Sequence, residues 1–455
     1  MLRSLFFLIS VFAALTTFAS ASGEEESKGT PITLEQALDI AFSNNPRLKS
    51  AGYQVEAAAA GVVKAGSGYL PKIELSEIYQ RTTNPMWAFG HKLNQEAIAS
   101  ADFSSDKLNN PDPIDNWGTI LSITQPIYTG GKVAAYKEQA TLTREASLKG
   151  RERIMQETVF EVTRAYYGID VAESNLEVVR DALRTADANM QTARSLRDAG
   201  VIVESDFLAA RVGWAELKED EIKSLNAVAL SKAVLNNVMG VDLEADYSLS
   251  ERLPDDLEKM GAEIGLVPEG GKHVGAAVER PDLAGVKLRE EIGEKGIKAA
   301  RADLLPTIGL TANYEIDGSS PVSGDGTNWT VMGVLKWNLF SGYKDTARVS
   351  EARAESNRIK EMKREMESGI RLEALSARLE LKAARERVYV AKESVRQTEE
   401  SFRIVNNRYA EGMATIVDLF ETGSAQKKAK MSLSQAVYDY KVGEARLKLA
   451  LGILK

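Results

Sequence analysis

The sequence predicts a mainly α chain with a small β part, in which one unit of long helical hairpin and two strands is written twice. Three observations carry this. First, Leu70-Pro71-Lys72-Ile73 recurs as Leu305-Pro306-Thr307-Ile308, 235 residues on (70 to 305), while Trp117 recurs as Trp329, 212 residues on (117 to 329). The shorter shift then holds for Gly130 and Gly342, Gly200 and Gly412, Asp206 and Asp418, and Gly240 and Gly452. A period of this length is a duplicated domain, not a solenoid unit. The gap between the shifts (235 against 212) puts 23 extra residues between the two strands of the first copy. Second, Ile169, Ala172, Leu176, Val179, Leu183, Ala186, Met190 and Ala193 step by threes and fours, as do Leu381, Ala384, Val388, Ala391, Val395, Thr398, Phe402 and Val405. Such a/d spacing sustained over about four heptads is a coiled-coil seam. Third, Ile308, Leu310, Ala312, Tyr314 and Ile316 alternate with Thr307, Gly309, Thr311, Asn313 and Glu315. Trp329, Val331, Leu335, Trp337 and Leu339 alternate in the same way. Period two over about ten residues, with aromatics near the ends, suits a half-buried strand or a barrel strand with one face in lipid.

The elements follow in order. Arg3, the apolar run Leu5 to Phe18 and the small-x-small stretch Ala19-Ser20-Ala21 are expected to form a secretory signal peptide over residues 1–21. The first copy then covers 22–240. Thr33 is the expected N-cap of a short helix to Asn44. Pro46 starts a second helix at its first turn, ending near Ser67. Strands are expected at about 69–81 and 117–128, carried by Ile73, Leu75 and Tyr79, then Trp117, Leu121, Ile123 and Ile127. After the turn Thr129-Gly130-Gly131 a helix runs to Ala199. At nearly 70 residues it is ~100 Å long, far beyond an ordinary globular helix. Gly200 ends it as a C′ glycine, and a return helix covers Ser205 to Met239. Residues 241–272, rich in acids, Gly and Pro, link the copies. The second copy, 273–455, repeats the order: a helix from Pro281 to Ala302, strands at about 305–316 and 329–340, the turn Ser341-Gly342-Tyr343, a long helix to Ala410, the tip at Gly412 and a return helix from Ile416 to Leu451.

Composition excludes several functions. The chain has no cysteine, hence no disulfide, thiolate metal site or lipid-acceptor thiol. The formal charge of −8, or −9 once Arg3 leaves with the signal, argues against nucleic acid as a partner. Beyond the signal no segment reaches the ~20 apolar residues of a spanning helix, so the mature chain is soluble or inserts through strands. No nucleophile elbow, phosphate-binding loop or His-Glu-x-x-His motif occurs, and the carboxylates lie on helix faces. No catalysis, cofactor or metal is therefore expected.

Four amphipathic strands cannot close a membrane barrel, since the smallest have eight, and open strand edges are not tolerated in lipid. If these strands insert, several chains must share one barrel, most simply in a symmetric ring. The long helices would then project away as a second tube. A soluble periplasmic coiled-coil scaffold or adaptor is the competing expectation, and detergent dependence separates the two. A periplasmic hydrolase is the third, but it lacks a nucleophile constellation.

The chain resembles the TolC family of outer-membrane efflux proteins over essentially all of its mature length. The resemblance rests on Asn45-Pro46-x-Leu48 and Arg280-Pro281-Asp282-Leu283, the two Leu-Pro strand starts, Gln125-Pro126-Ile127-Tyr128-Thr129-Gly130-Gly131 and Trp337-Asn338-Leu339-Phe340-Ser341-Gly342. The tip Tyr409-Ala-Glu-Gly412-Met-Ala-Thr415-Ile416-Val417-Asp418 carries it most specifically. It implies a channel-tunnel: a homotrimer whose chains each give four strands to a shared twelve-stranded barrel in outer-membrane lipid, continued by an α-helical tunnel across the periplasm. It implies the exit duct of a tripartite efflux or type I secretion system in a Gram-negative bacterium, with a periplasmic adaptor and an inner-membrane transporter as partners. By position, Asp206 and Tyr409 fall on the family's periplasmic gate, and Asp418 and Glu421 on its acidic pore ring. Gly200, Val201, Gly412 and Met413 form the tips expected to meet the adaptor. An arginine that the family's best-known member carries two residues past the tip glycine is Ala414 here, leaving Arg197 or Arg408 as substitutes. Helix capping by Asp206 and Asp418 is the plain alternative to gating. The insertion between Arg81 and Asn116, with Trp87, Phe89 and His91, falls at an outer-surface loop. A plain loop is expected there, with narrowing of the exit or contact with the external envelope as alternatives.

Overall fold

The computed structural model describes residues 29–253, 280–321 and 323–454. The signal peptide, most of the 241–272 link and His273 lie outside them. The chain starts with strand β1 (Thr30–Ile32), helix α1 (Leu34–Asn44) and helix α2 (Pro46–Gly66). Thr33 closes a capping box on α1, accepting from Gln36 N at 3.2 Å while its own N–H donates to Gln36 Oε1 at 3.0 Å. Strand β2 (Lys72–Thr82) follows, then the insertion with helices α3 (Pro85–Asn94) and α4 (Ser105–Asn109), then strand β3 (Ile114–Tyr128). Helices α5 (Lys132–Asp198) and α6 (Glu204–Met239) form the first hairpin, and β4 (Tyr247–Leu249) closes the copy. The second copy holds α7 (Pro281–Ala302), β5 (Thr307–Gly318), β6 (Gly326–Lys336), α8 (Lys344–Ala410) and α9 (Ile416–Ala450).

Helices α5 and α8 have 67 residues each, or about 100 Å. The seam residues are where the helices meet. Ile169, Leu176, Val179, Leu183, Ala186 and Ala193 are buried on α5, and Leu381, Ala384, Val388 and Ala391 on α8. Alanines at four of these ten positions let the backbones approach. The α8–α9 seam closes on Ala436, Val437, Tyr440 and Leu447. Tyr440 is 1 % exposed, and burying a side chain of this size contributes about 1.5–3 kcal/mol.

The proline motifs turn out to be joints. Asn45 caps α2 and donates from Nδ2 to Val238 O at the end of α6 (2.7 Å). Arg280, 235 residues on (45 to 280), is 3 % exposed and donates to Ala450 O at the end of α9 (3.0 Å). Its guanidinium is paired with Asp282 (2.7 Å) and Glu373 (2.6 Å), which hold its charge although burial opposes it. Each copy therefore sets the proline-started helix against the end of its return helix. Helix α5 runs past both joints. Near the sheet it meets α7, through Lys132–Asp303 (2.6 Å) and Gln139 Nε2 donating to Ile292 O (3.1 Å). Further along it meets α9, through Arg153 donating to Leu449 O (3.0 Å) and Tyr438 donating to Arg164 O (3.4 Å).

Strands β2-β3-β5-β6 form one antiparallel sheet with both outer edges unpaired among the described residues. The register puts Ile73, Leu75, Tyr79, Trp117, Leu121, Ile123, Leu310, Ala312, Tyr314, Trp329, Val331 and Leu335 on one face. The other face carries Glu74, Ser76, Gln80, Ser122, Thr124, Thr311, Asn313, Glu315, Asp317, Asn328 and Thr330. Trp117 stacks on Tyr79 with ring centroids 4.7 Å apart. Trp337, Phe340 and Tyr343 stand exposed at the helix end of the sheet, so aromatic residues flank the apolar band at both levels.

Two features differ from expectation. The start of the link is ordered: β4 pairs in parallel with β1, and Tyr166 Oη donates to Ile32 O (2.9 Å) beneath them. Strand β6 begins and ends earlier than the alternation suggests, at Gly326 and Lys336. Beyond it Trp337 leaves the ladder and donates from Nε1 to Leu304 O (3.2 Å).

Candidate functional site

The two hairpin tips are built alike. Gly200 and Gly412 have φ of +73° and +72°, a left-handed conformation that disfavours any residue with a Cβ. Gly200 N donates to Arg197 O (2.9 Å) and Val201 N to Leu196 O (2.8 Å). Gly412 N donates to Tyr409 O (2.9 Å) and Met413 N to Arg408 O (2.7 Å). Both are Schellman motifs, which satisfy the last carbonyls of a helix and reverse the chain in a few residues. Val201 and Met413 follow directly and project, exposed, from the tips. A small core of Ala193, Ala210, Tyr409, Ile416 and Leu419 joins the two tips, with Ile202, Phe207 and Ala414 against it.

Tyr409 lies in this core and feels the charge of Asp206, but the expected hydrogen bond between them is not formed. The Tyr409 ring is buried, and its Oη has no hydrogen-bond partner among the described residues. Burial, and then the charge of Asp206, pushes the phenol above its ordinary pKa. The hydroxyl is thus protonated, buried and near a carboxylate it does not yet reach. Such a group is a donor in want of an acceptor.

The two equivalent aspartates differ. Asp418 sits in a capping box: Thr415 N and Oγ1 donate to Oδ2 (2.9 and 2.7 Å), and Asp418 N donates to Thr415 Oγ1 (3.2 Å). These bonds hold its carboxyl below the usual carboxylate range. At the position equivalent to Thr415 (203 to 415) stands Val203, which has no side-chain oxygen, so α6 begins without a capping bond. Capping therefore accounts for Asp418 and not for Asp206. Asp418 and Glu421 are both exposed and, three apart on α9, share a face.

Neither arginine bridges the tips. Arg197 pairs with Asp198 (2.7 Å) and Glu204 (3.5 Å) and lies 4.3 Å over the Phe207 ring. Arg408 donates to Met413 O (3.2 Å) across its own turn. Each stiffens its own tip, while Ala414 joins the apolar core. Sequence reasoning missed the contact between hairpins: Phe420 of α9 lies so close to Gly213 of α6 that a Cβ there would sit 2.6 Å from its ring. The spacing of Gly213 and Phe420 from the tips is the only signal that could have shown it. Among the described residues no cluster of three or more His, Asp or Glu side chains could hold a metal.

The outer membrane efflux protein family model matches the chain over residues 37–241 and 275–453, one stretch per copy. The chain is 23 % identical to the alkaline protease secretion protein AprF of Pseudomonas aeruginosa, with 91 % of this chain and 83 % of that protein aligned. It is 23 % identical to the outer membrane protein TolC of Vibrio cholerae, with 98 % and 94 % aligned. Its fold is that of the Campylobacter jejuni CmeC outer membrane channel, at a TM-score of 0.77 and 16 % identity over 97 % of this chain and 94 % of that one. The chain belongs to the outer membrane efflux protein family.

Proposed function

We propose that three copies of this chain assemble into one exit duct, with a closed twelve-stranded barrel in outer-membrane lipid and a helical tunnel below it. The duct would take cargo from an inner-membrane transporter through a periplasmic adaptor to the exterior, and perform no chemistry of its own. The observation that carries this reading is the open edge. Among the described residues strands β2 and β6 each leave one side unpaired beneath a mainly apolar face, interrupted by Glu77 and Thr119, and unpaired edges are excluded from lipid. The helices repeat the pattern: Val212, Ile222 and Leu230 of α6 and Leu372, Leu379 and Val390 of α8 are exposed apolar residues on opposite flanks of the hairpins. Joining β6 to the next chain's β2 pairs both edges, and three repeats of four strands close the ring. The test is purification of the mature protein. Detergent-dependent solubility, a three-chain mass and channels in planar bilayers are expected; a water-soluble monomer without channel activity overturns the reading.

At the far end, Tyr409 and Asp206 would hold the mouth shut, and the tips Gly200-Val201 and Gly412-Met413 would present the adaptor contact. Asp418 and Glu421 would supply three pairs of carboxylates around the mouth. Because its hydrogen bonds keep Asp418 ionised, the ring stays negative at neutral pH, and rings of carboxylates favour cations. Asp418→Ala with Glu421→Ala is expected to weaken block by a trivalent cation by roughly tenfold, about 1.4 kcal/mol of lost attraction. Block titrations on single channels measure it, and an unchanged blocking constant removes the ring from the proposal.

A further inference from the structure

The insertion that distinguishes the first copy from the second is not a loop standing away from the sheet. Helix α3 lies against the polar face. A cavity of about 240 Å³ separates them, and its wall residues Ile78, Gln80, Asn116, Gly118, Ile120 and Glu315 all belong to that face by register. From the helix side it is lined by Trp87, Gly90, His91 and Asn94, one face of α3 by their spacing. The insertion is fastened at its end. Gln95 Nε2 donates to Asp115 O (2.8 Å) and Asn116 Oδ1 (2.7 Å). Asn116 Nδ2 in turn donates to Asp317 Oδ1 (2.6 Å), and Asn328 Nδ2 to Asp317 Oδ2 (3.2 Å). This chain of amides and one carboxylate crosses β3, β5 and β6. Gly326 gives way to it, since a Cβ there would lie 2.0 Å from Asn94 O.

We infer that residues 84–112 form an inward-folded stopper, a second and outer gate inside the mouth of the duct. The inference rests on the proposed shared barrel, in which the apolar face meets lipid and the polar face lines the lumen. A helix seated on the polar face is then inside. Its far side carries Met86, Phe89 and Leu93, and Phe89 stacks edge-on against Phe103 at 5.7 Å. Met86, Leu93 and Phe103 are 78, 48 and 61 % exposed. Around a three-fold axis they become an apolar ring, which impedes ions by dewetting and admits less polar cargo. The seat is releasable. His91 is buried against the wall, and its Nε2 has no hydrogen-bond partner among the described residues, so part of the contact is polar surface that gains by re-entering water.

Two constrictions in series make the current insensitive to the wider one, so the test uses channels already opened by Tyr409→Phe with Asp206→Ala. Replacing 84–112 by Gly-Ser-Gly in that background is expected to raise single-channel conductance at least twofold; the second copy joins its two strands with only the seven residues between Gly318 and Gly326. Equal conductance with and without the insertion overturns the stopper. Should the deletion fail to assemble, Met86→Cys decides, because the chain has no other cysteine and Met86 makes few contacts. Complete reaction with a charged methanethiosulfonate is expected to change the current of the opened channel; an unchanged current in the fully reacted protein places the helix outside the lumen. A protein that forms no channels at all refutes the barrel itself, a result distinct from either.

Discussion

Tyr409→Phe combined with Asp206→Ala is expected to raise single-channel conductance in planar bilayers by roughly fivefold or more. The basis is the position of one hydroxyl. Tyr409 is buried in the core that joins the tips, its Oη has no hydrogen-bond partner among the described residues, and the charge of Asp206 acts on it. In the proposed ring of three, that hydroxyl would donate to a carboxylate when the tips are drawn together. A hydrogen bond to a charged acceptor is worth about 1.5–3 kcal/mol, and three of them bias the closed state strongly. Folding stability should move the other way. Removing an unsatisfied buried hydroxyl leaves the tip core intact, so Tyr409→Phe is expected to keep or raise the melting temperature of the extracted protein. Conductance up with stability held marks a gate. Stability lost with conductance unchanged marks a purely structural tyrosine and rejects the assignment.

Gly412→Val is expected to cut export through the assembled system by roughly tenfold or more, with barrel assembly preserved. Space is not the issue, because the nearest atom to an added Cβ is Val201 Cγ1 at an ordinary 3.7 Å. The backbone is. At a φ of +72° a side chain costs about 1–2 kcal/mol, and a β-branched one is the worst fit. The Schellman pair at Gly412 and Met413 must loosen, and the tip that should meet the adaptor changes shape. Gly412→Asn is the control, since asparagine tolerates this conformation, and it should retain most export. Cargo release from intact cells and cysteine crosslinking from the tip to the adaptor measure both variants. Wild-type export in the valine variant removes the second tip from the docking surface.

Periodicity made the long helices and the strands legible before any coordinates. An a/d seam and a two-residue alternation are local, and each dictates one secondary structure. The pairing of glycines across the 212-residue shift was legible for the same reason: a left-handed helix end is a property of a few neighbouring residues. Asp418 as a cap could be read from Thr415 three residues earlier. The contrast with Asp206 could be read too, from Val203.

Other features depended on residues far apart in the chain. Arg280 looked like part of a helix start, yet it is a buried ion-paired joint whose partners, Glu373 and Ala450, come from two other helices. Tyr409 and Asp206 were aligned by resemblance, but only the packing of Ile416, Leu419 and Ala210 with Tyr409 shows its hydroxyl buried without a partner among the described residues. The insertion was expected to be a plain surface loop. Gln95 and Asn116 fold it onto the sheet through Asp317, 201 residues beyond Asn116 (116 to 317).

By itself the sequence determined that this chain is a duplicated unit of two strands and one very long helical hairpin, with tips at Gly200 and Gly412. The reason is that hydrophobic period and backbone conformation are set by near neighbours. Only the tertiary structure decided which face of the sheet the insertion covers, how the proline helices join the return helices, and that the Tyr409 hydroxyl in the tip core is buried without a partner among the described residues. Those are matters of long-range contact, where burial and the satisfaction of polar groups select one arrangement among many that the local pattern allows.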